Sequence, residues 1–374
     1  MSGSLLRYSI LTVALAALLN GCGGSSGTAV APILGGGQPS RAPSSSPAPT
    51  PTPSASPSAR PSATPSPSAA PSSSASAPSI YVANASGSIT VYAGNVSGTV
   101  AEAPFATIID NSSNSLLGVS GIALDASGKI DVANPGSDSV SIFAANPSGN
   151  LNEAPLARIT GTNTGLSESA GVSLDASGTI YVANTVGSIT VYAANPSGTL
   201  NETPLATITG PNSEVVSPHG IAVDASGKIY TPGDDQFVGG GTVTVYAANP
   251  TGTLDETPLG TISGSSTGLS GPWAVALDAS EKIYVANNFG QSVTVYAANP
   301  SGTLDETPLA TIAGPNTGLD GPTGIAVDAS GKIYVVNNTS ATITIYAANP
   351  SGTLNETPLA TITGLNDPAA LVVH

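Results

Sequence analysis

The chain has 374 residues, a formal net charge of −15 and a single cysteine. One cysteine excludes an intrachain disulfide. So acidic a balance excludes nucleic acid, whose phosphates need lysine and arginine, and argues equally against direct docking on anionic lipid.

Residues 1–22 read as a secretory signal: Arg7 supplies the positive n-region and Ile10–Leu19 an apolar core too short to span a bilayer. Leu19-Asn20-Gly21-Cys22 resembles a bacterial lipobox, which implies lipidation of Cys22. Gly23 after it, rather than Asp, favours the outer membrane. Residues 23–78 are Gly, Ser, Ala, Pro and Thr with only Arg41 and Arg60 charged. Such a stretch cannot bury enough apolar surface to fold, and its prolines bias it to an extended tether. The membrane is therefore expected only through the lipid anchor, with the protein exported and held in the cell envelope.

Residues 79–374 are one repeating domain. All 23 acidic residues and five of the eight basic ones fall in it, a formal charge of −18 that serves solubility. The last complete copy of the unit runs from Pro322 to Gly364 and contains four short β-branched or aromatic runs. These are Gly324–Val327, Ile333–Val336, Thr342–Tyr346 and Leu359–Thr363, bounded by turn residues and without helical spacing. Asp328-Ala329-Ser330-Gly331 and Asn349-Pro350-Ser351-Gly352 are tight-turn signals. Pro358 at the start of the fourth run points to an outer edge strand, with Glu356 guarding it. Ala326 offers the small residue that blades need near a common axis.

The turn aspartate recurs at Asp125, Asp175, Asp224, Asp278 and Asp328; the turn asparagine recurs at Asn95, Asn146, Asn195, Asn249, Asn299 and Asn349. The mismatch is informative. The first copy begins at strand two, Ser79–Val82, and the chain ends on Pro368–His374, a strand one with nothing after it. The pattern predicts an all-β, six-bladed β-propeller with four-stranded blades, closed by a C-terminal strand joining the N-terminal blade. The alternative is an open solenoid or sandwich array, which would be capped instead.

Gly324-Ile325-Ala326-Val327-Asp328 through Gly331-Lys332-Ile333-Tyr334-Val335 resembles the NHL repeat, as do Pro218–Tyr230 and Pro272–Val285. The resemblance covers residues 79–374 and implies a propeller used as a scaffold or as an enzyme. Where that repeat often ends strand two in Asp, this chain has Asn84, Asn134, Asn184, Asn287 and Asn337.

The residue before the strand-one glycine is expected at the mouth of the central channel. The six are Ser120, Ala170, His219, Trp273, Thr323 and Ala369. His219 and Trp273 come from adjacent blades; Trp offers a stacking face, His a hydrogen bonder, base or ligand. Ser120 and Thr323 add hydroxyls. Blade 4 carries a lengthened loop with Asp234 and Asp235, weak candidates for Ca²⁺ or another divalent cation, although no cofactor is the leading expectation. Asp131 replaces the strand-two tyrosine of blade 2; it reads as drift at an exposed position, with a partly buried carboxylate as the alternative. Glu102, Glu153, Glu202, Glu256, Glu306 and Glu356 ring the outer rim, too far apart for paired-carboxylate chemistry.

The expected function is an envelope-anchored, monomeric binding propeller for an extracellular carbohydrate or protein. A metal-assisted hydrolase or lyase at the channel is the alternative, and a purely structural envelope protein the third. Gluconolactonase-like propellers hold a channel metal with Glu, Asn and Asp, and the channel ring here has no carboxylate. Streptogramin-lyase-like propellers need a channel His with a nearby Glu; His219 is present without that Glu. The sequence has no H-E-x-x-H and no phosphate loop.

Overall fold

The computed structural model describes residues 78–111, 115–235 and 240–374. The signal segment, Cys22 and the tether lie outside them. Six sheets, one per copy of the unit, follow one another around a common axis, each innermost strand packing on the next. Blade 1 reads outward from Pro368–Val373 through Ser79–Asn84, Ser88–Ala93 and Ala106–Ile109. The inner strands of blades 2 to 6 are Gly121–Leu124, Ser169–Leu174, Ala222–Val223, Pro272–Leu277 and Pro322–Val327.

The period-two pattern of each middle strand serves two cores at once. In Ile333–Asn337, Ile333 and Val335 pack towards blade 5 with Tyr284 and Val293, while Tyr334 and Val336 pack towards blade 1 with Ile80 and Val82. Both faces are buried, so these strands are mostly apolar, with Asp131 and Thr231 as buried polar exceptions within them. The hydrophobic core is six inter-blade layers.

The ends of the domain meet as the copy count predicts. Ile80 pairs with Val373, Tyr81 with Val372 and Val82 with Leu371. Ser79 and His374 exchange backbone hydrogen bonds of 2.8 and 3.0 Å.

Each blade has five strands, not the four expected. The fifth is a short segment of the following blade, Gly-Thr-Leu in blades 3 to 6, laid parallel on strand four of the blade before it. Gly198–Leu200 lies on Ala157–Thr160, and Gly252–Leu254 on Ala206–Thr209. Gly98–Val100 of blade 1 lies on Ala360–Ile362 of blade 6. The ring is therefore closed twice, on the inside by the C-terminal strand and on the outside by this strap. Strand four is not the edge, so the edge-guarding role of Glu356 is corrected: it follows the strap Gly352–Leu354 instead of flanking an open strand four. In blades 3 to 6 the residue after the strap reaches back to the loop that leaves the preceding blade. Asn201 Oδ1 accepts from the Asn163 backbone N–H at 2.8 Å, Asp255 Oδ1 from Asn212 N–H at 2.8 Å and Asp305 Oδ1 from Ser266 N–H at 2.7 Å.

Candidate functional site

The closest approach at the axis is made by the strand-one glycines, not by Ala326. A Cβ on Gly121 would stand 2.4 Å from Ala170 O; on Gly171, 2.9 Å from His219 O; on Gly220, 2.9 Å from Trp273 O. Only glycine, or alanine at Ala274 and Ala370, lets six inner strands crowd this closely. Beside this pinch lies an axial cavity of about 80 Å³, lined by Ser120, Thr323 and the apolar Ile122, Val172, Ile221 and Val275 among others.

The residues one position before the pinch inherit its convergence. His219 and Trp273, from blades 4 and 5, are stacked with ring centroids 3.8 Å apart and planes 13° from parallel. Both are half-buried. Ser120 donates to Ala170 O at 2.8 Å, which ties two neighbouring inner strands together. Thr323 Oγ1 is buried with no hydrogen-bond partner. Ala170 is buried, and Ala369 is half-buried.

Local sequence holds the stacked pair in place. Thr231 donates to Gly220 O at 2.8 Å, fixing the Gly220–Ile221 peptide one residue beyond His219. In blade 5, Asn287 Oδ1 accepts from Ser270 N–H at 3.2 Å, three residues ahead of Trp273. The same Asn287 donates through Nδ2 to Thr294 Oγ1 at 3.0 Å and Val285 O at 3.4 Å. This explains the asparagine at the end of strand two: Nδ2 donates at Asn84, Asn134, Asn184, Asn287 and Asn337 alike, which an ionised aspartate cannot do, and Oδ1 accepts as well at Asn184, Asn287 and Asn337. Blade 4 has Gly233 there instead.

Burial pushes the His219 imidazole below the ordinary histidine pKa, so it is neutral at pH 7. A neutral ring packs on indole without the desolvation cost of a cation.

The other candidates do not join this site. Asp234 and Asp235 are neighbouring positions of the lengthened strand Ile229–Asp235, opposite Gly241 and Gly240. Asp234 is buried. Among the described residues no three His, Cys, Asp or Glu side chains stand together as a metal site. The expectation for Asp131 is corrected: it is 3% exposed, buried between blades 2 and 3 because its strand is covered on both faces.

An all-β ring with a pinched axial cavity and one aromatic pair at the pinch defines the class: a six-bladed propeller. The chain belongs to the family described as "Lactonase, 7-bladed beta-propeller", whose model matches residues 152–368. The description counts seven blades; this chain closes with six because it carries six copies and one completing strand. No curated protein sequence matches it. Among solved structures, a crystal structure of a nidogen/laminin complex has a TM-score of 0.54 at 13% identity, covering 79% of this chain and 98% of that one. That likeness shows the fold. Kuenenia stuttgartiensis hydrazine synthase aligns with a TM-score of 0.45 at 13% identity, covering 69% of this chain and 70% of that one.

Proposed function

We propose that this chain is a binding propeller whose His219–Trp273 pair receives the flat face of a carbohydrate. A protein surface is the other partner class. The stacked pair carries the reading. Two parallel rings make a rigid apolar slab that loses little side-chain entropy on binding. The unpartnered Thr323 hydroxyl and Ser120 line the axial cavity. The lipobox-like Cys22 and the Pro/Ser/Ala tether support display from the bacterial envelope, on its outer membrane, by a monomer. The NHL-like wording of the repeat fits such a scaffold.

The test is glycan-array binding by the full chain and by Trp273→Ala. Specific glycans bound by the wild type and lost in the variant support the reading. Equal binding by both contradicts it.

Family membership favours a second reading, hydrolysis of a lactone, with neutral His219 as a general base. The metal-assisted form of that reading finds no donor set among the described residues. Turnover of gluconolactone that is lost in His219→Ala would move the conclusion to the hydrolase. Neither binding nor turnover would leave the structural role.

A further inference from the structure

Blade 2 departs from its sisters where a tyrosine is missing. In four blades the strand-two tyrosine is fully buried and donates its hydroxyl to Oδ2 of the turn aspartate: Tyr181 to Asp175 at 3.3 Å, Tyr230 to Asp224 at 3.1 Å, Tyr284 to Asp278 and Tyr334 to Asp328, both at 3.0 Å. In blade 2 that tyrosine is Asp131. Its short side chain leaves a cavity of about 220 Å³ between blades 2 and 3.

The walls of this cavity have a defined chemistry. Ile142 of blade 2 and Leu174 and Ile180 of blade 3 are apolar. Asp131 lines the cavity, is 3% exposed and accepts no hydrogen bond from the described residues. Asp125 accepts with Oδ1 from Ser127 N–H, Ser127 Oγ and Lys129 N–H, at 2.7 to 2.8 Å. Its Oδ2, the tyrosine acceptor elsewhere, accepts nothing from the described residues. Lys129 turns its ammonium to Asn195 Oδ1 at 3.3 Å. When Asp131 is ionised, two acceptor-only groups thus face a hole that an aromatic side chain fills in the other blades.

We propose that this cavity is a binding site for a small organic ammonium ion, its N–H groups on Asp131 and Asp125 Oδ2 and its apolar body against Ile142, Leu174 and Ile180. An ammonium has three donors and no acceptor, which complements two unfilled carboxylates. Its charge offsets theirs, and Lys129 is already engaged at the rim. A buried, unpartnered carboxylate aimed into a preformed cavity distinguishes this site from a surface cluster of acids. It is separate from the channel mouth and does not depend on the function proposed there.

The binding is pH-dependent. Burial first, and the charge of Asp125 second, raise the Asp131 pKa to about 7, with Lys129 opposing. The cavity residues of blade 3 carry no charge. An ammonium binds the ionised form, so affinity rises with pH through about 7.

The test is calorimetric titration of the full chain with benzylamine, and with benzyl alcohol as its neutral match. Saturable benzylamine binding at pH 8, about tenfold weaker or more at pH 5 and with the alcohol, is expected. Asp131→Tyr restores the residue the sister blades use, keeps the fold and should abolish binding. Equal binding of alcohol and amine would overturn the proposal by making the cavity merely apolar. So would undiminished binding in Asp131→Tyr, no benzylamine binding at pH 8, or calcium binding lost in that variant without any for the amine.

Discussion

At the scale of single residues, His219 and Asp131 shift in opposite senses with pH. His219 has a folded pKa below its unfolded value of 6.5. Between those values the unfolded chain holds the extra proton, so stability rises with pH through that window and is lost as the solution is acidified below 6.5. Trp273 is the chain's only tryptophan, and its emission reports on the ring stacked against it. A titration of that emission should show one transition with a midpoint below 6.5, absent in His219→Phe. A midpoint at or above 6.5 would deny the burial that lowers it. Asp131 has the opposite sign. Its folded pKa is raised from 3.8 to about 7, so the folded state holds its proton more tightly, and stability falls as pH rises across that interval. The shift corresponds to a loss on the order of 4 kcal/mol above pH 7. Urea unfolding at pH 5 and pH 8 should show that slope in the wild type and a flatter one in Asp131→Asn.

At the scale of elements, the hairpin between strands one and two is held by its aspartate. Asp224 accepts from Ser226 N–H at 2.8 Å, Lys228 N–H at 2.9 Å and the Tyr230 hydroxyl at 3.1 Å. Burial raises its pKa, but these bonds outweigh that and leave it below the ordinary carboxylate value. Asp224→Ala strands the buried Tyr230 hydroxyl and should cost about 3 kcal/mol by denaturant unfolding. This turn was legible because Asp-x-Ser-Gly encodes its own hydrogen bonds within five residues. The strap was not legible. Gly198-Thr199-Leu200 is three residues long, with Gly198 and Thr199 exposed, so it has no alternation to read. Its parallel partner is in another blade. Only the recurrence of Asn or Asp after the Gly-Thr-Leu segment, as in Asn201, Asp255 and Asp305, carried a signal. The burial of Asp131 was hidden for a related reason: both faces of strand two are covered, so no solvent side exists for a carboxylate to choose. The pairing of His219 with Trp273 was half legible. The repeat put them at equivalent positions of adjacent blades, but their stacking depends on the glycine pinch, which becomes visible only when neighbouring backbones are in place.

At the scale of the molecule, closure is what makes a ring out of six marginal sheets. Residues 368–373 supply the whole inner strand of blade 1. Deleting Pro368–His374 should expose the edge of Ser79–Asn84, open the cavity and make the domain protease-sensitive at temperatures the wild type tolerates. Leu371→Ala, which keeps the backbone pairing, should cost about 3 kcal/mol through its buried side chain. The six-fold ring is also what brings blades 4 and 5 together at the axis, so the aromatic slab exists only while the circle is intact. The most direct test of the account follows the emission of Trp273 while an oligosaccharide selected from the array is titrated into the full chain. A saturable change in emission, with the same midpoint as the heat of binding, is predicted. Full binding heat with no change in the emission of Trp273 would place the ligand elsewhere and contradict the account.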